Sequence, residues 1–366
     1  MDSSAPLNQL DQALQPLTKL AYQTFQQGKG AFALAHKNLS FRLTNLVIPE
    51  REQQLQSLSP AILNKMQQLH TQLLEIDWKE AEQGVYPTSL LFENPWNDFF
   101  TYYPALWLDL PSIWGRLQKG RYQEFSPEID TEGYPSYYLQ NFHHQTNGYL
   151  SDLSANLYDL GIELLFNGSA DAMRRRILAP LKAGLKEVAS LDSKDTKVLD
   201  VACGTGRTLY FQRGMLPKVS LHGTDLSPAY LRKANQLLSQ VSGELPQLMQ
   251  ANAESLPYAD EYFHGISCVF TFHELPPQAR QNVINEVFRV LKPGGVFVIC
   301  DSMQGQDDPE LMPMLENFPA SFHEPYYKSY LHDDLQERLT EAGFTTTDVQ
   351  NHLVSKYWIA KKDINS

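Results

Sequence analysis

The stretch that decides the fold is residues 198–207, which read VLDVACGTGR. Val198 to Val201 form a short predicted strand, and Gly204 and Gly206 allow the backbone to turn sharply into a helix while approaching a ligand closely. A dinucleotide-binding turn would carry a further small residue at position 209, and Leu209 there counts against pyrophosphate binding. The stretch is typical of a strand, a glycine turn and a helix.

The residues that follow repeat this order of strand and helix. Strands are predicted at 219–224, 266–272 and 296–300, with helices at 228–238 and 277–291 between them. This alternation predicts an α/β fold, in which a parallel sheet carries helices on both faces. Ligands of such sheets bind beyond the carboxyl ends of the strands.

A carboxylate, Asp225, stands at the end of the second predicted strand. At that position a carboxylate can accept both hydroxyl hydrogens of an unphosphorylated ribose. Its alternative role is to cap the helix that begins at Pro228, but Ser227 suits that role better. The glycine turn and Asp225 together therefore predict a nucleoside site.

Three motifs in this order resemble the class I S-adenosylmethionine-dependent methyltransferases, and most closely the ubiquinone/menaquinone C-methyltransferase-like branch. They are residues 198–206, residues 251–257 (ANAESLP) and residues 289–295 (RVLKPGG). The resemblance implies S-adenosyl-L-methionine as the cofactor. It also implies a Rossmann-like sheet of seven strands with the last strand antiparallel, and the final two strands would lie at 345–349 and 357–360.

The resemblance further implies which residues bind the cofactor. Gly204 and Gly206 would lie against the methionine portion, Asp225 would bind the ribose, and Leu226 would lie against the adenine. Asn252 stands where the family usually has aspartate, and its side-chain oxygen can still accept a hydrogen bond from the adenine amino group. The complete set of expected cofactor contacts is Asp200, Cys203, Gly204, Thr205, Gly206, Asp225, Leu226, Asn252, Ala253 and Phe270.

His273 and Glu274 follow the fourth strand of this scheme and are the expected catalytic residues. They would touch the acceptor or accept its proton, although a lone histidine is more often structural. Methyl transfer from a sulfonium is an in-line displacement, so the protein mainly aligns the reactants and excludes water. Elaborate acid-base chemistry is not required.

Two aromatic segments are expected near the acceptor. The insertion 304–331 contains Tyr326 and Tyr327 and is rich in methionine, which suits a small apolar or aromatic substrate, although core packing explains it nearly as well. The segment 134–150 is expected to be structural or part of a lid, and its His143 would contribute polarity to the pocket. Adjacent histidines share no face and no carboxylate has metal-ligand spacing, so no metal site is predicted.

The N-terminal part, residues 1–165, is predicted to be a mainly helical domain and a potential substrate lid, and residues 166–366 are predicted to be the methyltransferase domain. Ser59 and Pro60 mark the start of one helix, which Gly84 could end. The aromatic stretch 92–114 would pack in the core or form one wall of an apolar pocket. The apolar face of the first helix would consist of Leu10, Leu14, Leu17, Ala21 and Phe25.

Composition excludes several other classes of protein. A formal net charge of -12 disfavours nucleic-acid binding, and the basic run 174–176 is expected to be a solvated helix face. The first residues lack the pattern of a signal peptide, and no apolar run is long enough to span a membrane, so a cytoplasmic protein is expected. The cysteines at 203, 268 and 300 have no metal or redox spacing and are expected to be buried reduced thiols.

Three alternatives to a small-molecule methyltransferase stay open at this point. The N-terminal helices could dock a protein or peptide that is then methylated, and a non-catalytic adenosyl-binding protein would need the cofactor motifs alone. A nicotinamide-dependent oxidoreductase is disfavoured by Leu209 and by the adenine-loop motif. The motifs specify the cofactor and leave the acceptor and the oligomeric state open.

Overall fold

The structure, a computed structural model, describes residues 5–50, 55–94 and 96–364. Within these residues the centre of the molecule is one sheet of seven strands in the order β3-β2-β1-β4-β5-β7-β6. This confirms the predicted α/β fold and its strand number. The strands are β1 (Lys197–Val201), β2 (Ser220–Asp225), β3 (Gln247–Gln250), β4 (Phe263–Val269), β5 (Leu291–Ser302), β6 (Phe344–His352) and β7 (Ser355–Lys362).

Strand direction creates a ligand-binding edge. Strands β1 to β5 pair in parallel, whereas β7 is antiparallel to both of its neighbours, as the resemblance implies. The strand order reverses at β1, which pairs with β2 on one side and with β4 on the other. In an open parallel sheet the connections leave in opposite directions at such a point and open a crevice at the carboxyl ends of the strands.

Helices cover both faces of the sheet. Val198 and Leu199 are neighbours on β1 but belong to different apolar clusters, because successive strand residues point to opposite faces. The cluster around Val198 includes side chains of α6 (Leu178–Val188), α7 (Arg207–Met215) and α8 (Pro228–Leu238). The cluster around Leu199 includes side chains of α9 (Pro277–Val290) and α12 (Leu335–Glu341).

The remaining helices come mostly from the N-terminal part of the chain. Tyr22 and Trp78 pack in the same apolar cluster as Leu178, so these helices share a core with the sheet. Among the described residues, no helix is both long and apolar enough to cross a bilayer. The helices are α1 (Ala5–Val47), α2 (Pro60–Glu82), α3 (Trp96–Lys119), α4 (Asp152–Leu165), α5 (Ala170–Arg175), α10 (Met312–Ser321) and α11 (Tyr327–Leu331).

The predicted limits of α2 are confirmed. The Ser59 side chain accepts a hydrogen bond from the backbone amide of Ile62, and Pro60 occupies the first turn, where its missing N–H costs nothing. The helix ends at Glu82, and Gly84 follows with a φ of +71°. Glycine adopts this left-handed conformation without the steric cost that other residues bear.

The predicted apolar face of α1 is confirmed only in part, because Ala21 is exposed whereas Phe25 is half-buried against Phe92. Leu17 is 63% exposed, while Tyr22 and Gln26 are 1% and 2% exposed. Tyr22 donates a 2.6 Å hydrogen bond to Asp77 of α2, so the buried face of α1 is partly polar. The side chains of Leu10 and Leu14 lie outside the described residues. Hydrophobic periodicity therefore predicts the buried side of this helix only in part.

The basic run is not a solvated helix face. Arg174, Arg175 and Arg176 are 4%, 1% and 6% exposed. Arg175 forms a two-pronged ion pair with Asp77, with nitrogen–oxygen distances of 2.9 and 2.6 Å. Arg174 pairs with Asp171 at 3.1 Å, and Arg176 pairs with Glu80. Buried arginines need such partners, and these carboxylates are provided largely by α2.

The aromatic stretch packs as core rather than as a pocket wall. In α3, Phe99 and Tyr103 stack with ring centroids 5.2 Å apart, and both contact Phe32 of α1. Phe100 on the same helix is 72% exposed. Both cavities described below are lined by other segments. The side chain of Trp96 lies outside the described residues.

Candidate active site

The glycine turn lies at the carboxyl end of β1, where the sheet crevice opens. Ala202, Gly204 and Gly206 have φ values of +54°, +55° and +78°. Gly206 precedes α7, and a Cβ atom there would lie 2.9 Å from the Cβ of Ala234 on α8. The turn therefore needs glycine at 206 for its conformation and for its close approach to α8.

Asp225 is fixed beside this turn. Its Oδ2 accepts a 2.8 Å hydrogen bond from the amide of Gly204, and its Oδ1 accepts one of 2.8 Å from the amide of Ser227. Ser227 caps α8 by accepting from the amide of Tyr230, as expected for this serine. Burial raises the pKa of Asp225 to about 6, and the backbone amides partly oppose that rise.

A cavity of about 110 Å³ lies against this turn and contains many of the expected cofactor residues. The expected residues that line it come from the glycine turn, from the end of β2, from the loop after β3 and from the end of β4. They are Gly204, Asp225, Leu226, Asn252, Ala253 and Phe270. The adenine-loop residues and Asp225 thus face one space, although they are far apart in the sequence.

Four other expected cofactor residues shape the turn and do not line this cavity. Asp200 accepts a 2.5 Å hydrogen bond from Ser267 of β4, and burial raises its pKa to about 7. Thr205 donates a 3.0 Å hydrogen bond to Asp159 of α4. Cys203 is 6% exposed, and Gly206 is turned toward α8. Cys268 and Cys300 are buried as well, as predicted for core thiols.

A much larger cavity of about 880 Å³ lies on the other side of Phe270. Its walls come from α1, α2, α4, α10 and the residues after β4 and β5. Its apolar lining includes Met66, Leu74, Ile162, Phe166, Met314, Leu315 and Phe318. The two cavities share Tyr158, Phe270 and Glu274 in their walls. We call this shared wall, together with His143 and His273, the junction.

The expected catalytic and substrate residues fall mostly at this junction. His143, His273, Glu274 and Tyr327 line the large cavity. Tyr326 lies outside both cavity walls and packs beside the cluster of Phe142 and Tyr149, so it is not placed as a substrate contact. Its backbone carbonyl accepts a hydrogen bond from Arg280.

His273 is paired with the buried carboxylate of Asp301. Its Nδ1 donates a 2.7 Å hydrogen bond to Asp301, whose other oxygen accepts from the amides of Thr271 and Phe272. Burial alone would lower the pKa of His273, but the Asp301 carboxylate raises it to about 9. A raised pKa favours the imidazolium, which disfavours a role of this ring as a proton acceptor near neutral pH.

Glu274 is held by three neighbours. Its Oε1 accepts a 2.5 Å hydrogen bond from the hydroxyl of Tyr149, and the same oxygen lies 3.5 Å from His143 Nε2 and 3.9 Å from His273 Nε2. His143 Nε2 also lies 3.1 Å from Glu324 Oε1. Burial raises the pKa of Glu324 to about 7, while His143 opposes that rise.

Comparison with known proteins shows the family to which this chain belongs. A model described as a methyltransferase domain matches residues 198–295. An uncharacterized methyltransferase of Synechocystis is 33% identical over 162 residues, which cover 44% of this chain and 71% of that protein. This chain is a class I S-adenosylmethionine-dependent methyltransferase.

Relatives with more specific names are also similar to this methyltransferase. The ubiquinone/menaquinone biosynthesis C-methyltransferase UbiE of Neisseria meningitidis is 29% identical over 178 residues, covering 43% of this chain and 70% of that protein. The demethylmenaquinone methyltransferase of Anoxybacillus flavithermus is 27% identical over 179 residues, with coverages of 43% and 73%. A solved methyltransferase from Aquifex aeolicus is 23% identical, with coverages of 51% and 91% and a TM-score of 0.38.

The residues around the small cavity fit the nucleoside part of S-adenosylmethionine. The Asp225 carboxylate provides acceptors for ribose hydroxyls, Leu226 and Ala253 provide apolar surface, and Asn252 provides an amide for the adenine edge. The cavity of about 110 Å³ is smaller than most small-molecule sites, which have about 300 Å³ or more.

The small cavity of this methyltransferase has an aromatic wall that the sequence motifs do not predict. Tyr138, Phe142, Tyr149, Tyr158 and Tyr230 all line it. The first three come from the segment 134–150, which was expected to be a lid or a structural segment. The sequence shows a concentration of tyrosines in this segment. A single sequence does not show that the segment packs against the loop after β2.

Tyr149 connects the small cavity to the junction. Its backbone carbonyl accepts a 2.5 Å hydrogen bond from the Ser227 hydroxyl at the start of α8, and its own hydroxyl donates to Glu274. Its ring stacks on Phe142 with centroids 5.4 Å apart. The N-terminal segment thereby fixes the side chain of Glu274 at the junction.

His264 is the second residue of β4 and lies at the amino-terminal edge of the sheet. Its Nδ1 accepts a 3.1 Å hydrogen bond from the amide of Lys197 at the start of β1. Burial lowers the pKa of His264, so a neutral ring that accepts this bond is favoured. The residue stabilises the amino-terminal edge of the sheet, opposite the glycine turn.

Proposed function

We propose that this methyltransferase transfers the methyl group of S-adenosylmethionine to a small, apolar or aromatic molecule that binds in the large cavity. The observation that carries this proposal is the junction, where a mainly apolar cavity of about 880 Å³ shares walls with the cofactor-side cavity. A volume of this size is typical of small-molecule sites. Methyl transfer needs donor and acceptor in line and in contact, and a shared wall supports that placement.

One set of residues would bind the cofactor, and another set would contact the acceptor. Asp225, Leu226, Asn252 and Ala253 would bind the nucleoside, with Gly204 allowing close approach of the backbone. S-adenosylmethionine supplies an electrophilic methyl group on a sulfonium.

The acceptor would meet a polar end of an otherwise apolar cavity. His273 and Glu274 would touch it there, with Tyr327 and His143 beside them. The His273 imidazolium can donate a hydrogen bond to an acceptor oxygen, and Glu274 can accept one from a hydroxyl. The apolar lining of Met314, Leu315 and Phe318 would exclude water from the reacting centre.

The N-terminal residues 1–165 would act as the cover of the acceptor site. α1 and α2 contribute side chains along much of the large cavity, including Gln26, Ala31, Met66 and Leu74. A peptide acceptor would need an extended groove for its backbone. The position of these helices over the cavity supports a small-molecule acceptor over a protein acceptor.

A reduced quinone is a specific acceptor worth testing first. Two similar proteins are named as ubiquinone/menaquinone and demethylmenaquinone methyltransferases. A quinol ring is aromatic and carries hydroxyl groups, which would suit His273 and Glu274, and its apolar substituent would suit the lining of the large cavity. This acceptor is a narrower form of the same proposal.

The test is incubation of the purified full chain with S-adenosylmethionine labelled in its methyl group. The labelled donor is supplied with a lipid-soluble metabolite extract or with a demethylated quinol, and the products are separated and identified by mass spectrometry. We expect the label in a small apolar product. Label found in protein alone would overturn the proposal and favour peptide methylation.

A further inference from the structure

Three side chains with metal-binding atoms meet at the junction from separate segments of the chain. His143 lies in a short turn (Phe142–His144), Glu274 in the turn after β4 (Phe272–Glu274), and Glu324 between α10 and α11. His143 Nε2 is 3.1 Å from Glu324 Oε1 and 3.5 Å from Glu274 Oε1. The three ligand atoms all lie within 4.8 Å of one another.

These spacings suit a divalent ion at their centre. Imidazole nitrogen and carboxylate oxygen bind such ions at about 2.0 to 2.2 Å, so two ligands of a tetrahedral or octahedral ion lie roughly 3 to 3.5 Å apart. Both distances from His143 Nε2 to a carboxylate oxygen match this range. A small movement of Glu324 or Glu274 would bring their two oxygens to the same separation.

Glu324 gives a second and independent indication of a cation. The residue is 4% exposed, and neither of its carboxylate oxygens accepts a hydrogen bond from the described residues. Its contact is the ion pair with His143. A buried carboxylate is costly without hydrogen bonds or a cation, and a metal ion would provide a cationic partner in addition to His143.

We propose that His143, Glu274 and Glu324 bind one divalent transition-metal ion at the junction. Imidazole suits Zn²⁺, and the two carboxylates also suit Mn²⁺. Two carboxylate charges balance the charge of the ion. Three protein ligands leave at least one coordination position for another molecule, as in catalytic metal sites.

The open position gives the ion a role in acceptor binding, and this step rests on the proposed function. His143 and Glu274 line the large cavity, so a ligand in that cavity can reach the ion. An acceptor oxygen, such as a phenolic hydroxyl, would coordinate there beside the cofactor side of the junction. The ion would then fix the acceptor's polar end while the apolar lining holds the rest.

No pattern in the sequence marks this site, and the sequence predicts no metal site. Metal-ligand spacing is recognised when the ligands lie close together in the sequence, whereas these three residues come from the N-terminal part, the turn after β4 and the insertion after β5. His144 points elsewhere, with its Nε2 3.1 Å from the carbonyl of Ser321.

The test is calorimetric titration of Zn²⁺, and separately of Mn²⁺, into the chelator-treated full chain without cofactor. We expect one ion per chain, and we expect Glu324→Gln to weaken binding at least about tenfold because it removes a charged ligand. Glu341→Gln, at the exposed end of α12, is the matched control and should bind like the unmodified chain. Absence of one-to-one binding, or equal affinity in Glu324→Gln, would overturn the proposal.

A spectroscopic measurement on the unmodified chain identifies the ligands of the bound ion even if Glu324→Gln fails to fold. X-ray absorption at the zinc edge of the unmodified chain should show one imidazole and otherwise oxygen ligands. Sulfur ligands would place the ion at a cysteine and overturn the site. Both measurements are independent of methyl transfer, so the metal site and the proposed acceptor class can fail separately.

Discussion

Asp225 connects the glycine turn to the small cavity. Its carboxylate accepts hydrogen bonds from the amides of Gly204 and Ser227 and also lines the cavity. We expect Asp225→Asn to weaken S-adenosylmethionine binding by about ten- to a hundredfold, because a hydrogen bond to a charged acceptor contributes about 1.5 to 3 kcal/mol. Isothermal titration calorimetry measures this change.

Two controls accompany that measurement. Asp192→Asn changes a carboxylate whose side chain is 78% exposed and should leave cofactor affinity unchanged. NAD should not bind the unmodified chain under the same conditions. Unchanged S-adenosylmethionine affinity in Asp225→Asn would remove Asp225 from the cofactor site.

Cofactor binding should also depend on pH through Asp225. Burial raises the pKa of Asp225 to about 6, and the negative charge of Glu274 adds to that rise. Above that pH the carboxylate accepts ribose hydroxyl hydrogens, and below it the group is protonated and loses acceptor capacity. We expect affinity to fall about tenfold between about pH 7.5 and about pH 5, measured by calorimetry.

The control for this pH effect is the same titration on Asp225→Asn. Tyr138 and Tyr230 also line the cavity, but burial raises the pKa of both well above the ordinary value, so they stay neutral over this range. Asp200 lies behind the turn with a pKa of about 7 and remains in both proteins. An equal loss of affinity in Asp225→Asn would assign the effect to Asp200 or another group.

At the scale of residues, the sequence predicted the cofactor side far better than the acceptor side. Asp225 and Asn252 follow strands that the sequence predicts or lie in a motif with a fixed place in the fold. The sequence predicts no role for Glu324 or Asp301. Their importance depends on long-range contacts, of Glu324 with His143 and of Asp301 with His273. Long-range pairs of this kind leave no pattern in one sequence.

At the scale of elements, the ion pair between Arg175 and Asp77 joins α5 to α2. Both residues are fully buried, and Asp77 also accepts hydrogen bonds from Tyr22 and Tyr86. We expect Arg175→Met to lower the free energy of unfolding by about 3 to 5 kcal/mol, because it leaves the Asp77 carboxylate buried without its cation. Urea denaturation followed by circular dichroism measures the loss.

A second substitution separates charge from packing at this pair. Arg175→Met combined with Asp77→Asn should recover part of the lost stability, since no unpaired charge is left in the core. Arg121→Met is the matched surface control, because Arg121 is 63% exposed and its ion pair with Glu124 contributes little. A double variant no more stable than Arg175→Met would show that packing, not charge, explains the loss.

Runs of apolar residues predict the strands and helices whose buried faces are apolar. They predict the other strands and helices poorly. The central strands β1, β4 and β5 were predicted because they are buried on both faces. β3 was missed, since Gln247–Gln250 is a short and largely exposed edge strand. The buried side of α1 is predicted only in part, because it carries Tyr22 and Gln26 and faces the polar partners of α2.

At the scale of the whole molecule, the site depends on the N-terminal helices as much as on the sheet. The sheet and its turns provide Asp225, Phe270 and Glu274, and the N-terminal part provides Tyr149 and Tyr158. Tyr149 holds Glu274, so the acceptor side is incomplete without it. Composition alone indicated aromatic segments, but only the packing of helices on the sheet edge shows which of them face a cavity.

This arrangement predicts that a substitution in α1 can weaken acceptor binding without changing cofactor binding. Ala31 lines the large cavity and is remote in sequence from every residue of the small one. We expect Ala31→Trp to fill part of the large cavity and raise the KM for the acceptor about tenfold, the effect of losing roughly 1.4 kcal/mol of binding. Affinity for S-adenosylmethionine, measured by calorimetry, should stay unchanged.

The matched control is Ala35→Trp, one turn further along α1 at another exposed alanine that does not line the large cavity. Methyl transfer to the acceptor identified by mass spectrometry gives KM for all three proteins, and Ala35→Trp should match the unmodified chain. Equal KM values in Ala31→Trp and the unmodified chain would mean that the acceptor binds away from α1. A parallel loss of cofactor affinity would instead mean that α1 acts through the fold of the sheet edge, because Ala31 does not line the small cavity.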